Sequence, residues 1–356
     1  MRKVIEKRII FILLVLIILL LIFSPHVLAL WKSFALIGNI FFQGDNKPLK
    51  GEIQKIEVSY KSGEKEFIAD IYLPKTQAKK AVIIYSPLVR DAREDVALIN
   101  LAETFAKLDI LAFIPFEKEK EYGLISEDDV EDVVSAFLFL KNFTKEDDID
   151  NMGIFGISYG IGPVLAASTD ERIKDDVKFI FSLGGYYDLK NLIKFASTKS
   201  FEYGEIKGEF EPNPYTKEVM QISLLEFTKE DKYGNLSVYN ILSNKEAEKF
   251  EELYKDLSIE LKENIEEISP KNYIDKLNPN IKIFIIHSPT DNYVPYTESL
   301  RFYDSLSEEQ KKHTKIAIMG TFGHAVPEEL NLQTLFSIYI PNLGKLLLIT
   351  YNFILI

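Results

Sequence analysis

The chain alternates between short continuous apolar runs and longer stretches whose apolar residues recur every three or four positions. Residues 81–85 (AVIIY), 110–116, 152–155, 177–183, 281–286 and 315–319 are runs of the first kind. Such runs mark strands covered on both faces. Between them, Leu98, Leu101, Ala102, Phe105 and Leu108 trace one face of a helix, with Asp91 and Glu94 as an N-terminal capping pair. Val130, Val133, Val134, Phe137 and Leu138 trace the next, opened by Ser126 and Asp129. Residues 53–60 and 67–73 alternate instead and flank the turn Lys61-Ser62-Gly63-Glu64, which reads as a β-hairpin.

From 189 to 269 the strand–helix alternation stops. This stretch predicts at least one helix, with a capping box from Ser243 and Glu246. Its stripe would be Phe250, Leu253, Tyr254, Leu257, Leu261, Ile265 and Ile268. The alternation then resumes with a helix over 297–306, and the chain is mostly helical from Pro327. The expected class is α/β: a mainly parallel sheet covered on both faces, edged by the N-terminal hairpin. A helical lid is inserted after the strand ending near Leu183. The expected division is 1–42 as leader, 43–188 and 270–356 as the two parts of the core, and 189–269 as the lid.

The two ends are unusually apolar. Arg2, Lys3, Lys7 and Arg8 precede an unbroken apolar run over 9–23, and apolar character resumes over 27–31 and 35–42. This is the plan of a retained signal anchor or of a cleaved signal peptide, with Val27-Leu28-Ala29 as a small-residue cleavage site. Either way the basic end stays inside and the bulk of the chain is exported. The expectation is a single-pass cell-membrane protein whose domain is extracytoplasmic, the secreted form being the alternative. Residues 335–356 are nearly all apolar and read as a last packing helix or a segment lying on a membrane. Lys345 near a bilayer midplane would cost about 3 kcal/mol, which disfavours a spanning helix.

The 356 residues carry a net charge of -12, which argues against nucleic acid or anionic lipid as the main partner. There is no cysteine, so thiolate catalysis and disulfides are excluded. No P-loop, dinucleotide fingerprint or histidine pair at metal spacing is present; no metal or cofactor is expected.

One pentapeptide carries chemistry: Gly156-Ile157-Ser158-Tyr159-Gly160, a G-x-S-x-G between a strand and a helix. That context lifts Ser158 onto a sharp turn as a nucleophile. A serine needs a base, and the base needs an orienting partner. Of four histidines, His26 lies in the leader and His313 in a solvated helix end. His287 closes a strand and reads as structural or near the site. His324, in Gly320-Thr321-Phe322-Gly323-His324, follows the last strand. For the acid, Asp291 follows a strand in His287-Ser288-Pro289-Thr290-Asp291, and Asp188 is the fallback.

Together G-I-S-Y-G, H-S-P-T-D-N-Y-V-P and G-T-F-G-H, in the order Ser, Asp, His, resemble the α/β-hydrolase superfamily over about 51–340. Among its members, dienelactone-hydrolase-like and prolyl-oligopeptidase-like esterases and peptidases look most similar. The resemblance implies Ser158 as nucleophile, His324 as base, Asp291 as its acid and 189–269 as the lid. Where relatives often carry His-Gly, this chain has Ser86-Pro87-Leu88. Pro87 has no N–H to donate, so the oxyanion donors expected are the backbone N–H groups of Leu88 and Tyr159. The implied activity is serine hydrolysis of a small-molecule carboxylic ester or amide. The alternatives are a peptidase and a non-catalytic, membrane-tethered binding protein.

Overall fold

The computed structural model describes residues 24–356, apart from 43, 90, 91, 118–123, 127, 148 and 229–231. The apolar run over 9–23 and Asp91 lie outside the described residues.

The strands are β1 (Gln54–Ser62), β2 (Lys65–Leu73), β3 (Lys80–Tyr85), β4 (Ile110–Glu117), β5 (Asn151–Ile157) and β6 (Val177–Leu183), then β7 (Ser200–Tyr203), β8 (Ile206–Glu209), β9 (Lys282–His287) and β10 (Thr314–Ile318). Among the described residues, eight form one sheet in the order β1-β2-β4-β3-β5-β6-β9-β10. The hairpin β1–β2 joins at one edge and pairs antiparallel with β4. From β4 to β10 every pairing is parallel. The continuous apolar runs explain this. The side chains of β3, for example, are buried on both sides of the sheet, which only helical cover on each face allows.

Each face has its own core. On one, α1 (24–41), α2 (Val96–Lys107) and α12 (Leu332–Ile354) pack through Leu36, Phe105 and Phe353. On the other lie α3 (Asp129–Phe143) and α4 (Ile161–Ala167), with Phe137 and Val164 inward. Residues 24–41, counted with the leader in the sequence reading, thus form a helix against the sheet, with Ala29 and Ala35 buried. Its Asn39 amide donates to Thr104 Oγ1 on α2 at 2.6 Å.

Between β6 and β9 stand α5 (Leu189–Thr198), α6 (Pro214–Phe227), α7 (Lys232–Ser243), α8 (Phe250–Lys255) and α9 (Ile259–Glu267), with the hairpin β7–β8. The long helix expected over 250–268 is broken. Ser258 accepts from Leu261 N–H and starts α9 anew, so the apolar stripe continues across two helices. Ser243 ends α7 rather than opening the next helix, and Glu246 makes no side-chain cap. The β7–β8 hairpin, too short to show a period, was not anticipated. After β9 come α10 (Thr297–Ser305) and α11 (Glu308–His313). Helix α2 is capped by Asp95, whose carboxylate accepts from Ala97 and Leu98 N–H at 2.9 Å each, one residue past the expected Asp91–Glu94 pair.

Phe353 is the hub of the α12 side. Its ring meets Phe105, Phe179, Phe181 and Phe284 at 5.4–5.9 Å between centroids. Phe353→Ala should therefore destabilise the protein by about 3–5 kcal/mol, read from the urea midpoint at constant m-value.

Candidate active site

The parallel strands end together along one rim, and the loops leaving them carry the candidate residues. Ser158 sits directly after β5 with φ +54°, a left-handed conformation that costs a non-glycine residue energy. The flanking glycines explain how the turn closes. A Cβ at Gly156 would lie 2.9 Å from Ile161 Cδ1, and one at Gly160 would lie 2.7 Å from Tyr85 O. Both approaches are too close for a side chain, so the motif residues two before and two after Ser158 must be bare.

Asp291 and His324 are brought together. His324 Nδ1 and Asp291 Oδ2 are 2.6 Å apart, across 33 residues of sequence. Asp291 is fully buried. Its Oδ1 accepts from the backbone N–H groups of Tyr293 at 2.8 Å and Val294 at 3.0 Å. Burial opposes its ionisation, yet the charge of His324 and hydrogen bonds from His287 and His324 outweigh it. The carboxyl is held well below the usual carboxylate range.

His287 has a supporting place. It is buried, with Nε2 2.9 Å from Val294 O and 3.3 Å from Asp291 Oδ2. A carbonyl oxygen can only accept, so Nε2 carries the proton and Nδ1 accepts from Ser299 Oγ at 2.7 Å. The other histidines lie elsewhere: His26 meets Tyr351 Oη at 2.6 Å, and His313 pairs with Glu309 at 3.8 Å. The fallback acid, Asp188, caps α5 through Lys190 N–H at 3.0 Å and pairs with Lys271 at 3.0 Å.

Ser158, Tyr159, Leu88 and His324 line one cavity of about 860 Å³. No hydrogen bond joins Ser158 to His324; in unliganded sites such bonds commonly form only when substrate arrives. Leu192, Val219 and Met220 from the inserted segment form an apolar wall. Hydrogen bonds tie that segment to the site. Tyr215 Oη donates to Leu88 O at 2.6 Å, Asn213 N–H to Asn292 O at 2.8 Å, and Ile125 N–H to Ser223 Oγ at 3.0 Å.

Sequence reasoning missed several of these residues. Tyr293 stacks on the His324 ring, with centroids 4.4 Å apart and planes at 14°. Gly184 has φ +62°, and a Cβ there would lie 3.1 Å from His324 Nδ1 and 3.3 Å from Asp291 Oδ2. The Gly184-Gly185 pair closing β6 was the only signal for it. Tyr215 offered none, because its partner is a main-chain oxygen 127 residues away.

The comparisons with known proteins bear on this arrangement. Residues 231–336, which include Asp291 and His324, match the model of the prolyl oligopeptidase family. The Pyrococcus furiosus esterase superposes with a TM-score of 0.50 at 13% identity, over 87% of this chain and 93% of that one. A 2,6-dihydroxy-pseudo-oxynicotine hydrolase superposes with 0.51 at 15% identity, over 84% and 67%. The chain shares the fold of these two hydrolases. The Pyrococcus horikoshii acylaminoacyl peptidase gives 0.45 at 18% identity over 76% of this chain, which spans only 37% of that protein's length. No curated protein matches the sequence.

Beside the site, the buried Glu298 joins the β6–α5 loop to α10, accepting from Asp188 N–H at 2.8 Å and Tyr187 N–H at 3.1 Å. Burial pushes its carboxyl up to about 7. The folded protein then holds a proton that the unfolded chain releases near pH 4.3. The stability from this group is full below that pH and is lost as the pH rises towards 7. Glu298→Gln should flatten the fall in stability between about pH 4.5 and 7, measured by urea unfolding across that range.

Proposed function

We propose that the protein is a serine hydrolase that cleaves a carboxylic ester, with Ser158, His324 and Asp291 as its triad. The observation that carries this reading is the 2.6 Å bond between a buried, ionised Asp291 and His324 Nδ1, on the cavity that Ser158 also lines. With Nδ1–H donated to the carboxylate, Nε2 is the free base.

Ser158 Oγ attacks the carbonyl carbon while His324 Nε2 takes its proton, and the carbonyl π pair moves onto oxygen. The backbone N–H groups of Tyr159 and Leu88 donate to that oxyanion. Collapse expels the alkoxide, which takes the proton from the imidazolium and leaves as the alcohol. Water, deprotonated by His324, then attacks the acyl-serine and releases the acid. Asp291 stays ionised throughout and stabilises the imidazolium.

The apolar wall from Leu192, Val219 and Met220 suits an apolar acyl or alcohol group. In this reading the segment 189–269 is a lid, and the leader holds the protein to the cell membrane with its domain outside the cytoplasm. A peptidase is the second reading, favoured by the match of 231–336 to the prolyl oligopeptidase family. A panel of aryl esters against peptide amides separates the two.

Ser158→Ala should abolish labelling by a fluorophosphonate probe, read on a gel; undiminished labelling sinks the triad. Asp291→Asn should cut kcat about 10⁴-fold, in line with removal of the orienting carboxylate elsewhere. Tyr215 positions Leu88 and touches no reacting atom. Tyr215→Phe should lower kcat several-fold with KM nearly unchanged, since the oxyanion exists only beyond the ground state.

A further inference from the structure

Helices α1 and α12 lie side by side and antiparallel over one face of the sheet. His26 meets Tyr351 at one end, and Phe41 packs edge-on against Tyr339, 4.9 Å between centroids, at the other. Their inner sides are buried through Leu36, Leu346, Ile349 and Phe353. Their outer sides are not covered by any described element. Val27, Trp31 and Phe34 stand out from α1 and Phe336, Leu343 and Leu348 from α12, Phe336 being 68% exposed. The spacings 27-31-34 and 336-340-343 are those of single helix faces, so each helix is apolar on two sides.

Two properties say what covers this face. The first is charge. The chain is 27% charged, yet residues 24–42 and 332–356 hold only Lys32 and Lys345 and no acidic residue. Both ammonium groups are turned back to the protein: Lys32 pairs with Asp109 at 2.7 Å, and Lys345 donates to Ile318 O at 2.8 Å. A protein partner would leave a polar, charge-bearing rim, whereas an uncharged face with snorkelled lysines at its margin suits hydrocarbon. The second is the chain that leads in. Residues 9–23, outside the described set, are an unbroken apolar run joined directly to α1. A run of that composition partitions into lipid and delivers the start of α1 to the bilayer surface.

Helix α12 is long and apolar enough to cross a membrane, with 23 residues and a mean hydropathy of 1.3. It does not do so here, because Leu346, Ile349 and Phe353 are seated in the core. It is not an ordinary core helix either: only 17% of its apolar window is buried. We infer that the paired outer faces of α1 and α12 lie flat on the bilayer, so that the folded domain itself is immersed at its side and not merely tethered by its leader. The contact follows the whole of α12, about 34 Å at 1.5 Å per residue. The loop that precedes α12 in the chain, with exposed Val326, carries His324 and lines the Ser158 cavity. The inference rests on the helices and not on the hydrolase reading.

The absence of cysteine and the presence of a single tryptophan give a clean test on the full chain. The protein is reconstituted into phosphatidylcholine vesicles with and without brominated acyl chains. Phe336→Cys and Leu343→Cys carry an environment-sensitive fluorophore, and Ile259→Cys, 74% exposed on α9, serves as the control. The expected result is a blue-shifted, several-fold brighter signal at 336 and 343 that bromolipid quenches, quenching of Trp31, and an unchanged signal at 259. Quenching of Trp31 with 336 and 343 still in water would mean a tether alone and would overturn the inference. A blue shift at 336 and 343 that is present without lipid and grows with protein concentration would assign the face to a second copy of the chain, and would overturn it equally. Loss of vesicle contact with fluorophosphonate labelling intact separates failure here from failure of the triad.

Discussion

The site depends on one buried charge. Asp291 sits in a place where ionisation is opposed by burial, yet it is surrounded by donors on every side: two backbone N–H groups of its own turn, the His287 ring and His324. Removing these donors would leave a carboxyl that neutralises rather than ionises. The turn, the strand before it and the buried His287–Ser299 pair are therefore all in the service of one ionised carboxylate, whose Oδ2 faces His324. Gly184, at the end of the neighbouring strand, leaves that oxygen and the imidazole the space they occupy.

The same logic runs through the inserted segment. It would be easy to treat 189–269 as an appendage, since the sheet closes without it. Its side chains and main chain nevertheless reach three loops at the rim: Tyr215 to the Leu88 carbonyl, Asn213 to the turn after Asp291, and Ser223 to Ile125. Movement of the segment relative to the sheet would strain these bonds first. Pocket shape and the position of the Leu88 loop are thus coupled.

Local signals carried much of this. The continuous runs at 81–85 and 281–286 specify buried parallel strands, because a strand wetted on one side would alternate. G-x-S-x-G specifies its turn, because Gly156 and Gly160 stand where a Cβ would strike Ile161 and Tyr85. With four histidines in the chain, position after a strand directs attention to His287 and His324 rather than His313, and the structure sets the His324 ring 2.6 Å from Asp291. Local reasoning failed where caps compete. Ser258 interrupts the 250–268 stripe, and Asp95 rather than Glu94 caps α2, because several polar residues near a helix start can each satisfy the same N–H groups.

What the sequence by itself determined is the set of elements and the order of the chemical groups, since periodicity and turn chemistry act between residues a few positions apart. What only the tertiary structure decided is which groups meet. The stacking of Tyr293 on His324, the clearance at Gly184 and the hold of Tyr215 on Leu88 depend on how whole strands and helices are placed in space. So does the fate of the two apolar ends. Composition alone marks 24–42 and 332–356 as hydrophobic; the seating of Leu36, Ile349 and Phe353 decides which side of each helix the core takes and which side it leaves open.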